Sequence, residues 1–547
     1  MKQEYTDRQD APATLADLAR ETMERDPEEY REAPVILAAA DGKIMELGKR
    51  VPEGARIRFI TTADPTGRMA LIRTTIFSML KALYAQAGRS HVHSVTVDFQ
   101  IQDAWFVRPE GSFAVSDTLL QGMDRRMREY AANRYPIHRR RMLTQEAIRE
   151  FSRYHMTSKA RLFRYRLSGT VHVYSLGNFI DYFYGHMAPD AGYVRNYRLI
   201  PWEDGFFLQI PAAGQDREPV FDPGCHRREF LTLKESHLWA QKLDCEDVAD
   251  LNDWICKGQA STLIGIQEAL QEKKIGQIAE QAAARSGCRM IMIAGPSSSS
   301  KTTFARRLCV QLRALGLNPI QMSVDDWFKN REDSPRLPDG SYDFESLDCV
   351  DLAQFNRDLS ALLAGDSVRL PTYNFVLGQR EYHDRPVMMQ SGDILVIEGI
   401  HALNPRMTPG LDPETQFRIY ISALTQLAID PHNPIPPQDG RLLRRMVRDA
   451  RTRGFSAQET LDMWPAVLAG EEANILPYQE SADVFFNSAC VYELAVLKQY
   501  AEPLLFGIGR ESAHYEEARR LLKFLDYFLG ISSENIPKNS LLREFIG

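Results

Sequence analysis

A loop of small residues followed by lysine and threonine is the strongest chemical signal in the sequence. The apolar run 291–293 leads into this loop, and apolar residues then recur at helical spacing. In a phosphate-binding loop, backbone N–H groups surround phosphates, the lysine contacts the β- and γ-phosphates, and a hydroxyl binds Mg²⁺. The pattern therefore predicts ATP and Mg²⁺ as cofactors. The predicted binding residues are Gly295, Ser297, Ser298, Ser299, Ser300, Lys301, Thr302 and Thr303.

One position of the loop departs from the usual pattern of a second glycine before the lysine. Ser300 stands there, and its Cβ occupies space that glycine leaves to the phosphate. Serine is the smallest polar substitute, and the preceding strand, the Lys-Thr-Thr run and the amphipathic helix still predict a phosphate-binding loop, with the effect of Ser300 on nucleotide binding left open.

Carboxylates follow two other predicted strands. Asp325 and Asp326 come after the apolar run that begins at Ile320, and Glu398 closes the run 394–397. The carboxyl ends of parallel strands meet at one sheet edge, where ligands bind. Asp325 is predicted to accept a proton from a substrate hydroxyl, and Thr302, Glu398 and Asp325 are predicted metal ligands. Asp326 is equally well explained as a helix cap.

Several arginines follow one another at helical spacing before Gly454. They are Arg441, Arg444, Arg445, Arg448, Arg451 and Arg453. Arginines three, four and seven residues apart share a helix face, and such a face can stabilise the charge of a transferring phosphoryl group. Beside a phosphate-binding loop, we interpret this helix as a lid.

The elements that position these residues form a parallel α/β sheet. Four short apolar runs alternate with helical segments: 290–293, 320–324, 394–397 and 417–421. Strands that are buried on both faces have this pattern. Before them, 34–61 alternates like hairpin strands, 69–83 has helical spacing, and strand patterns at 92–97, 105–107 and 193–210 predict a mixed α+β region.

Composition places the chain among ordinary globular proteins. It has 547 residues, 44% of them hydrophobic, a formal charge of −7 and seven scattered cysteines. These values exclude wholesale disorder, a collagen or a coiled coil, and the cysteine spacing fits neither a disulfide scaffold nor a zinc ribbon. No stretch has the length of a membrane span, so we expect a soluble cytoplasmic protein. The segment 125–166 carries a charge of +10, which we interpret as a solvated surface in preference to an RNA-binding one.

The C-terminal motifs resemble those of the uridine kinase and phosphoribulokinase family. The resemblance covers about the last 260 residues of the sequence and implies transfer of the ATP γ-phosphate to a sugar hydroxyl. It implies that Asp325 is the catalytic aspartate, that Asp343 binds ribose hydroxyls, and that Tyr373 and Phe375 flank a base. Arg380 and Arg445 are implied to contact the substrate, and Lys301, Arg448 and Arg453 are the implied catalytic cations.

Departures from the family pattern leave the acceptor open. Gly378 stands where uridine-cytidine kinases have a base-binding histidine, Asn374 replaces an aspartate, and Phe455 replaces the last arginine of the lid motif. A site that loses polar partners for a base edge loses discrimination. A nucleoside is the leading acceptor, and a phosphorylated sugar bound by Arg380 and Arg385 is an alternative.

The N-terminal half resembles other proteins. Residues 34–61 look like a TGS module, and 69–210 look like the second additional domain of threonyl- and alanyl-tRNA synthetases. That domain carries a metal set in its family, but here the corresponding helix reads Ile72-Arg73-Thr74-Thr75-Ile76 and Met187 takes the place of a histidine. An editing metal site is therefore not expected.

These observations predict five segments along the chain. They are an extension (1–32), a TGS-like β-grasp module (33–65), a synthetase-like domain (66–212), a linker with connecting helices (213–287) and a P-loop kinase domain with C-terminal helices (288–547). We predict a kinase that acts on a small molecule, forms a homo-oligomer and has no membrane partner. The alternative from another class is an RNA-binding regulator in which the P-loop senses nucleotide.

Overall fold

The small N-terminal sheet is antiparallel. The computed structural model describes residues 14–211, 221–336, 340, 342–374, 377–382, 384 and 386–547. Helix α1 (Leu15–Arg25) is followed by strands β1 (Val35–Ala40), β2 (Lys43–Glu46) and β3 (Ile57–Thr61), in the order β2-β1-β3. Asp41 and Gly42 both have positive φ, as the tight turn between β1 and β2 requires. Helix α1 packs Leu15, Leu18 and Ala19 into the core of this module.

A mixed α+β unit comes next, as the sequence predicts. Its strands form two antiparallel sheets, β4-β5-β10-β9 and β6-β7-β8. The elements are α2 (Pro65–Ala87), β4 (Val92–Ile101), β5 (Ala104–Gly111), α3 (Asp117–Ala132), β6 (Ile137–Leu143), α4 (Thr144–Arg153), α5 (Thr157–Leu162), β7 (Thr170–Leu176), β8 (Phe179–Asp181), β9 (Arg198–Trp202) and β10 (Gly205–Gln209). The predicted helix 69–83 lies inside α2, which is longer at both ends.

Three helices connect this unit to the rest of the chain: α6 (Arg227–Lys242), α7 (Val248–Cys256) and α8 (Ala260–Ala284). The last of them belongs structurally to the parallel sheet that follows. Its Ile275, Ile278 and Ala282 are buried in the same cluster as Ile291 and Ile293 of the first parallel strand.

The C-terminal part contains the predicted parallel sheet, with strand order β12-β17-β11-β18-β21. Its elements are β11 (Met290–Ala294), α9 (Lys301–Ala314), β12 (Asn318–Ser323), α10 (Leu352–Ala364), β13 (Ser367–Val368), β14 (Pro371–Asn374), β15 (Gln379–Tyr382), β16 (Val387–Met388), β17 (Asp393–Glu398), β18 (Gln416–Ser422), β19 (Ala428–Asp430), β20 (Asn433–Pro434), α11 (Pro437–Thr452), α12 (Ala457–Asn474), β21 (Val484–Asn487), α13 (Glu493–Phe506), α14 (Tyr515–Leu525) and α15 (Arg543–Ile546). The four predicted strands are confirmed, and β21 is an additional edge strand.

The two faces of this sheet pack against different helices. Met290 and Met292 of β11 point to a cluster that contains Phe355 and Leu359 of α10. Ile291 and Ile293 point to the opposite cluster, formed with α8 and α9. This alternation explains why β11 is continuously apolar, since side chains on both faces are buried.

One hydrophobic core joins the N-terminal and C-terminal parts. It contains side chains of α2 and β7 together with side chains of α11, α13 and α14. A network of buried polar side chains crosses the same interface. Lys159 pairs with Asp181 and Asp430, and His432 Nδ1 lies 2.6 Å from Oδ2 of Asp181. Because an unpaired buried charge is costly, this network holds the two parts in one register.

The basic segment 125–166 does not form one continuous cationic surface. Lys159 is buried in the network above, Arg161 pairs with Asp250 and Asp253, and Arg166 donates to the hydroxyls of two tyrosines. All seven cysteines lie in the described ranges and are free thiols. Among the helices of those ranges, none combines the length and apolar character that crossing a membrane requires.

Candidate active site

The loop between β11 and α9 begins with a glycine that no other residue could replace. A Cβ on Gly295 would lie 1.9 Å from the carbonyl oxygen of Ile421 in the neighbouring strand. The close approach of loop and strand therefore fixes this position as glycine. The rest of the loop continues into α9, whose first residue is Lys301.

Two serines of the loop adopt backbone conformations that favour glycine. Ser298 has φ +62° and Ser300 has φ +67°. The Ser300 hydroxyl donates to the carbonyl of Leu541 at 3.4 Å. The hydroxyls of Ser298 and Ser299 are buried and have no hydrogen-bond partner within the described structure. Orphaned buried hydroxyls at a helix N-terminus fit the oxygens of a bound phosphate.

Replacing Ser300 with glycine is expected to stabilise the protein by up to about 1 kcal/mol. A left-handed φ costs a non-glycine residue roughly 1–2 kcal/mol, and part of the gain from removing this cost is lost because glycine raises the conformational entropy of the unfolded chain. Ser299→Gly is the matched control, since Ser299 is not among the described residues with positive φ. Denaturant unfolding compares the two variants. A Ser300→Gly protein no more stable than Ser299→Gly would contradict the assignment of strain.

Lys301 and Thr302 face the inside of the loop and the sheet edge. Lys301 Nζ donates to the carbonyl oxygens of Gly295 and Pro296, both at 3.0 Å. Burial lowers the pKa of Lys301, and the negative charges of Glu398 and Asp325 oppose this shift. The hydroxyl of Thr302 donates to Glu398 Oε1 at 3.0 Å. A hydroxyl and a carboxylate oxygen in contact form a donor set that suits Mg²⁺.

Glu398 and Asp325 lie at the same sheet edge, as the sequence predicts. In the register of the sheet, Glu398 pairs with Ser323 of β12 and with Ile293 of β11. Burial, reinforced by the charge of Asp325, raises the pKa of Glu398 to about 7. Burial also raises the pKa of Asp325, while Lys301, Arg453 and Arg448 counteract part of that rise. A carboxylate with a raised pKa beside cations is suited to accept a proton.

The arginine helix α11 surrounds a buried carboxylate. Asp449 is 0% exposed, and Arg445, Arg448 and Arg453 approach its two oxygens at 3.3, 2.8 and 3.6 Å. Arg445 also donates to the hydroxyl of Ser297 at 2.8 Å. Asp449 thus concentrates three guanidinium groups next to the phosphate-binding loop, and two of them act on Asp325.

Two further arginines of the predicted set, Arg441 and Arg444, are structural. Arg441 forms an ion pair with Glu471 and donates to the carbonyl of Ser297 at 3.2 Å. Arg444 is fully buried, is paired with Glu493 and donates to the carbonyl of Ser298 at 3.3 Å. These two side chains fix the position of the phosphate-binding loop through the carbonyls of Ser297 and Ser298.

Two of the predicted substrate-binding residues, Tyr373 and Arg380, lie in the β14–β15 hairpin. The backbone N–H of Tyr373 donates to Asp326, so Asp326 holds the β14–β15 hairpin. Arg380 of that hairpin pairs with Asp351 at 3.1 Å. Phe375 and Arg385, which the sequence analysis also named, lie outside the described residues.

Asp343 lies in a turn, where its N–H donates to the carbonyl of Pro335 and its own carbonyl accepts the Cys349 thiol. The same segment places Glu345 beside the cations of the site. Burial raises the pKa of Glu345 to about 7, Arg445 and Lys301 oppose the rise, and Glu471 and Asp325 reinforce it.

Three carboxylates that the sequence analysis did not single out contribute to the site. One is Glu345. The second is Glu471 of α12, whose Oε1 accepts the backbone N–H of Ser297 at 3.1 Å. The third is Glu544 of α15, whose carboxylate accepts the hydroxyl of Thr303 at 2.7 Å. Only the predicted role of Asp343 pointed near any of them, because the other two carboxylates come from helices far along the chain.

The kinase-like segment has recognisable relatives. Residues 290–495 match the sequence model of the Phosphoribulokinase / Uridine kinase family. A uridine kinase of Leuconostoc citreum is 25% identical over 179 residues, 33% of this chain and 77% of that protein. A solved structure described as a possible uridine kinase from Bacillus stearothermophilus has a TM-score of 0.28 and 21% identity, and covers 39% of this chain and 98% of its own.

A second kind of relative accompanies the first. The threonine–tRNA ligase of Methylococcus capsulatus is 30% identical over 171 residues, which are 30% of this chain and 26% of the ligase. The chain thus spans about a quarter of the length of that relative. The match over 290–495 is the more extensive, and this segment is similar in sequence to the Phosphoribulokinase / Uridine kinase family.

Proposed function

We propose that this protein transfers the γ-phosphate of ATP to a hydroxyl group of a nucleoside. The observation that carries the proposal is the position of Asp325, which lies at the sheet edge within the electrostatic reach of Lys301, Glu398, Arg448 and Arg453. A proton acceptor, a phosphate-binding loop and a cationic cluster at one edge are the parts that phosphoryl transfer to an alcohol requires.

Each group has a separate task in this reaction. Lys301 releases the carbonyls of Gly295 and Pro296 and binds the β- and γ-phosphates. Thr302 and Glu398 would hold Mg²⁺, which when bound neutralises charge on the phosphates. Asp325 accepts the proton of the acceptor hydroxyl as that oxygen bonds to the γ-phosphorus and the bond to the ADP oxygen breaks. Arg448 and Arg453 stabilise the charge of the transferring group.

Glu345 supports a hydroxyl-rich acceptor. Its carboxylate is enclosed near Asp325 and Arg445, so it can accept hydrogen bonds from a sugar held beside the proton acceptor. Arg380 is already engaged by Asp351, which disfavours it as a site for a substrate phosphate. A nucleoside or free sugar therefore fits better than a sugar phosphate.

ADP formation from Mg-ATP, measured against nucleosides, pentoses and pentose phosphates, tests the proposal. We expect at least one nucleoside to stimulate turnover, and Lys301→Ala to abolish that stimulation because the phosphates lose their cation. Stimulation by a pentose phosphate alone would overturn the nucleoside assignment. If ATP binds and no acceptor stimulates turnover, the kinase proposal itself is wrong, and RNA binding at low salt becomes the test of the sensor alternative.

A further inference from the structure

A large cleft lies away from the candidate active site. Its volume is about 2270 Å³, and it is lined by the N-terminal module, by α2, by the segment after β8 and by the C-terminal helix α14. Lys301, Asp325 and Glu398 are not among the lining residues. The cleft exceeds the few hundred to about 1,000 Å³ of an ordinary small-molecule pocket. It is the main feature of the N-terminal half that the proposed kinase reaction leaves unexplained.

Two cationic side chains, those of Arg73 and Lys523, contact the loop 184–186 in the wall of this cleft. The guanidinium of Arg73 lies 5.1 Å from the centre of the Tyr184 ring, and it donates to the carbonyl of His186 at 3.4 Å. From the other side, Lys523 Nζ donates to the carbonyl of Tyr184 at 2.7 Å. A Cβ on Gly185 would lie 2.1 Å from the Arg73 guanidinium carbon, so glycine at 185 leaves room for the arginine.

These cations are not neutralised by the protein. In the part of the chain that the structure describes, neither Arg73, which is 8% exposed, nor Lys523 forms an ion pair with a carboxylate. Arg166 nearby donates to the hydroxyls of Tyr182 and Tyr527. Arg73 is therefore a buried cation without a carboxylate partner, which is costly unless a ligand supplies negative charge, whereas Lys523 is an exposed residue of the cleft wall.

The nearest carboxylate is already engaged. Glu46 accepts the Tyr174 hydroxyl at 2.5 Å and the N–H of Met187 at 3.3 Å, and Arg139 lies 3.8 Å from it. Among the charges that act most strongly on Lys523, Glu46 is the one carboxylate, against the cations Arg139, Arg73 and Arg166. The mutual repulsion is visible in Lys523, because burial together with Arg139, Arg73 and Arg166 lowers its pKa to about 8.

We propose that Arg73 and Lys523 bind a phosphate group of a ligand that occupies this cleft. A phosphate dianion carries two negative charges and can pair with both Arg73 and Lys523, whereas a carboxylate would leave one of them without a partner. The size of the cleft indicates that the phosphate belongs to a larger molecule. This site is independent of phosphoryl transfer at Lys301, so it would be a second ligand site, formed by α2 of the N-terminal half together with α14 of the C-terminal part.

Protection of Lys523 from acylation tests the proposal on the intact protein. At about pH 8, an amine-acylating reagent should modify Lys523 readily, because a lysine whose pKa is lowered to about 8 is partly deprotonated at that pH. Lys257 lines the same cleft and serves as the internal control. Millimolar inorganic phosphate should slow the modification of Lys523 about fivefold or more and leave Lys257 unchanged, with peptide mass spectrometry as the readout.

Variants and a second anion separate the possible outcomes. Arg73→Met should abolish the phosphate protection; if it does not fold, Arg139→Met on the exposed strand β6 should weaken the protection. Acetate at equal ionic strength should protect much less than phosphate. Lack of protection by phosphate in the wild-type protein, or equal protection by acetate, would overturn the phosphate site. Kinase activity is not needed for any of these measurements.

Discussion

Asp325→Asn is expected to lower kcat of the phosphoryl transfer by about 10³, because general-base catalysis contributes roughly 10²–10⁴. An amide cannot accept the proton of the acceptor hydroxyl, although it has the same shape as the carboxylate. Affinity for ATP should stay within about threefold, since Lys301 and the loop bind the phosphates without Asp325. Single-turnover phosphorylation and ATP titration measure the two quantities separately.

The loss of activity should not come from unfolding. Because burial raises the pKa of Asp325, its ionised form is disfavoured in the folded state, and the wild-type protein bears that cost above the ordinary pKa of aspartate. The neutral variant lacks this cost, so its melting temperature near pH 8 should equal or exceed that of the wild type.

Asp326→Asn is the matched control for this variant. The neighbouring carboxylate accepts the N–H of Tyr373 at 3.1 Å, and an asparagine oxygen can accept the same bond. We expect its kcat to remain within about threefold of wild type. Equal losses in the two variants would mean that the proton acceptor is not Asp325.

The site residues that stand at the end of a predicted strand or at the start of a predicted helix could be predicted from the sequence. Lys301 and Thr302 open the helix after β11, Glu398 is the last residue of β17, and Asp325 follows the end of β12 by two residues, so the geometry of a parallel sheet brings them to one edge. No information about distant segments was needed for these four residues.

Residues supplied by distant helices could not be predicted in this way. Glu471 and Glu544 reach the loop from α12 and α15, and a glutamate in an amphipathic helix has no local feature that distinguishes it from a surface residue. Glu345 lies two residues from the predicted Asp343, and the two differ only in which way an irregular turn directs each side chain. Irregular turns carry no periodic signal from which that direction can be inferred.

In the fold as well, elements with a local sequence pattern could be predicted and contacts between distant segments could not. Strands β11, β12, β17 and β18 have five to seven residues and contain the short apolar runs from which they could be predicted, whereas β21 (Val484–Asn487) has four residues and does not stand out. The common core of the N-terminal and C-terminal parts depends on contacts between α2 and helices α11, α13 and α14. Contacts between elements separated by more than 300 residues leave no local pattern in one sequence.

The arginine cluster leads to the second large effect: Asp449→Asn should destabilise the protein by about 3 kcal/mol, because removing one partner of a buried ion pair leaves the other charge uncompensated. Here one carboxylate pairs with three guanidinium groups and reduces the repulsion among them. Without its charge, Arg445, Arg448 and Arg453 repel one another, so they should also lose their positions beside Ser297 and Asp325. Denaturant unfolding and kcat of the folded fraction measure the two consequences.

Asp439→Asn on the same helix separates stability from catalysis. Asp439 is also buried, and both of its oxygens accept hydrogen bonds from Arg520, at 2.7 and 2.8 Å. It contacts neither the loop nor Asp325 in the described structure, so this substitution should destabilise the protein while kcat of the folded fraction stays within about twofold. Asp449→Asn should lower kcat by a further tenfold or more, since positioned cations stabilise the transferring charge. If the two variants lose stability and retain kcat alike, the guanidinium cluster around Asp449 has a structural role and takes no part in phosphoryl transfer.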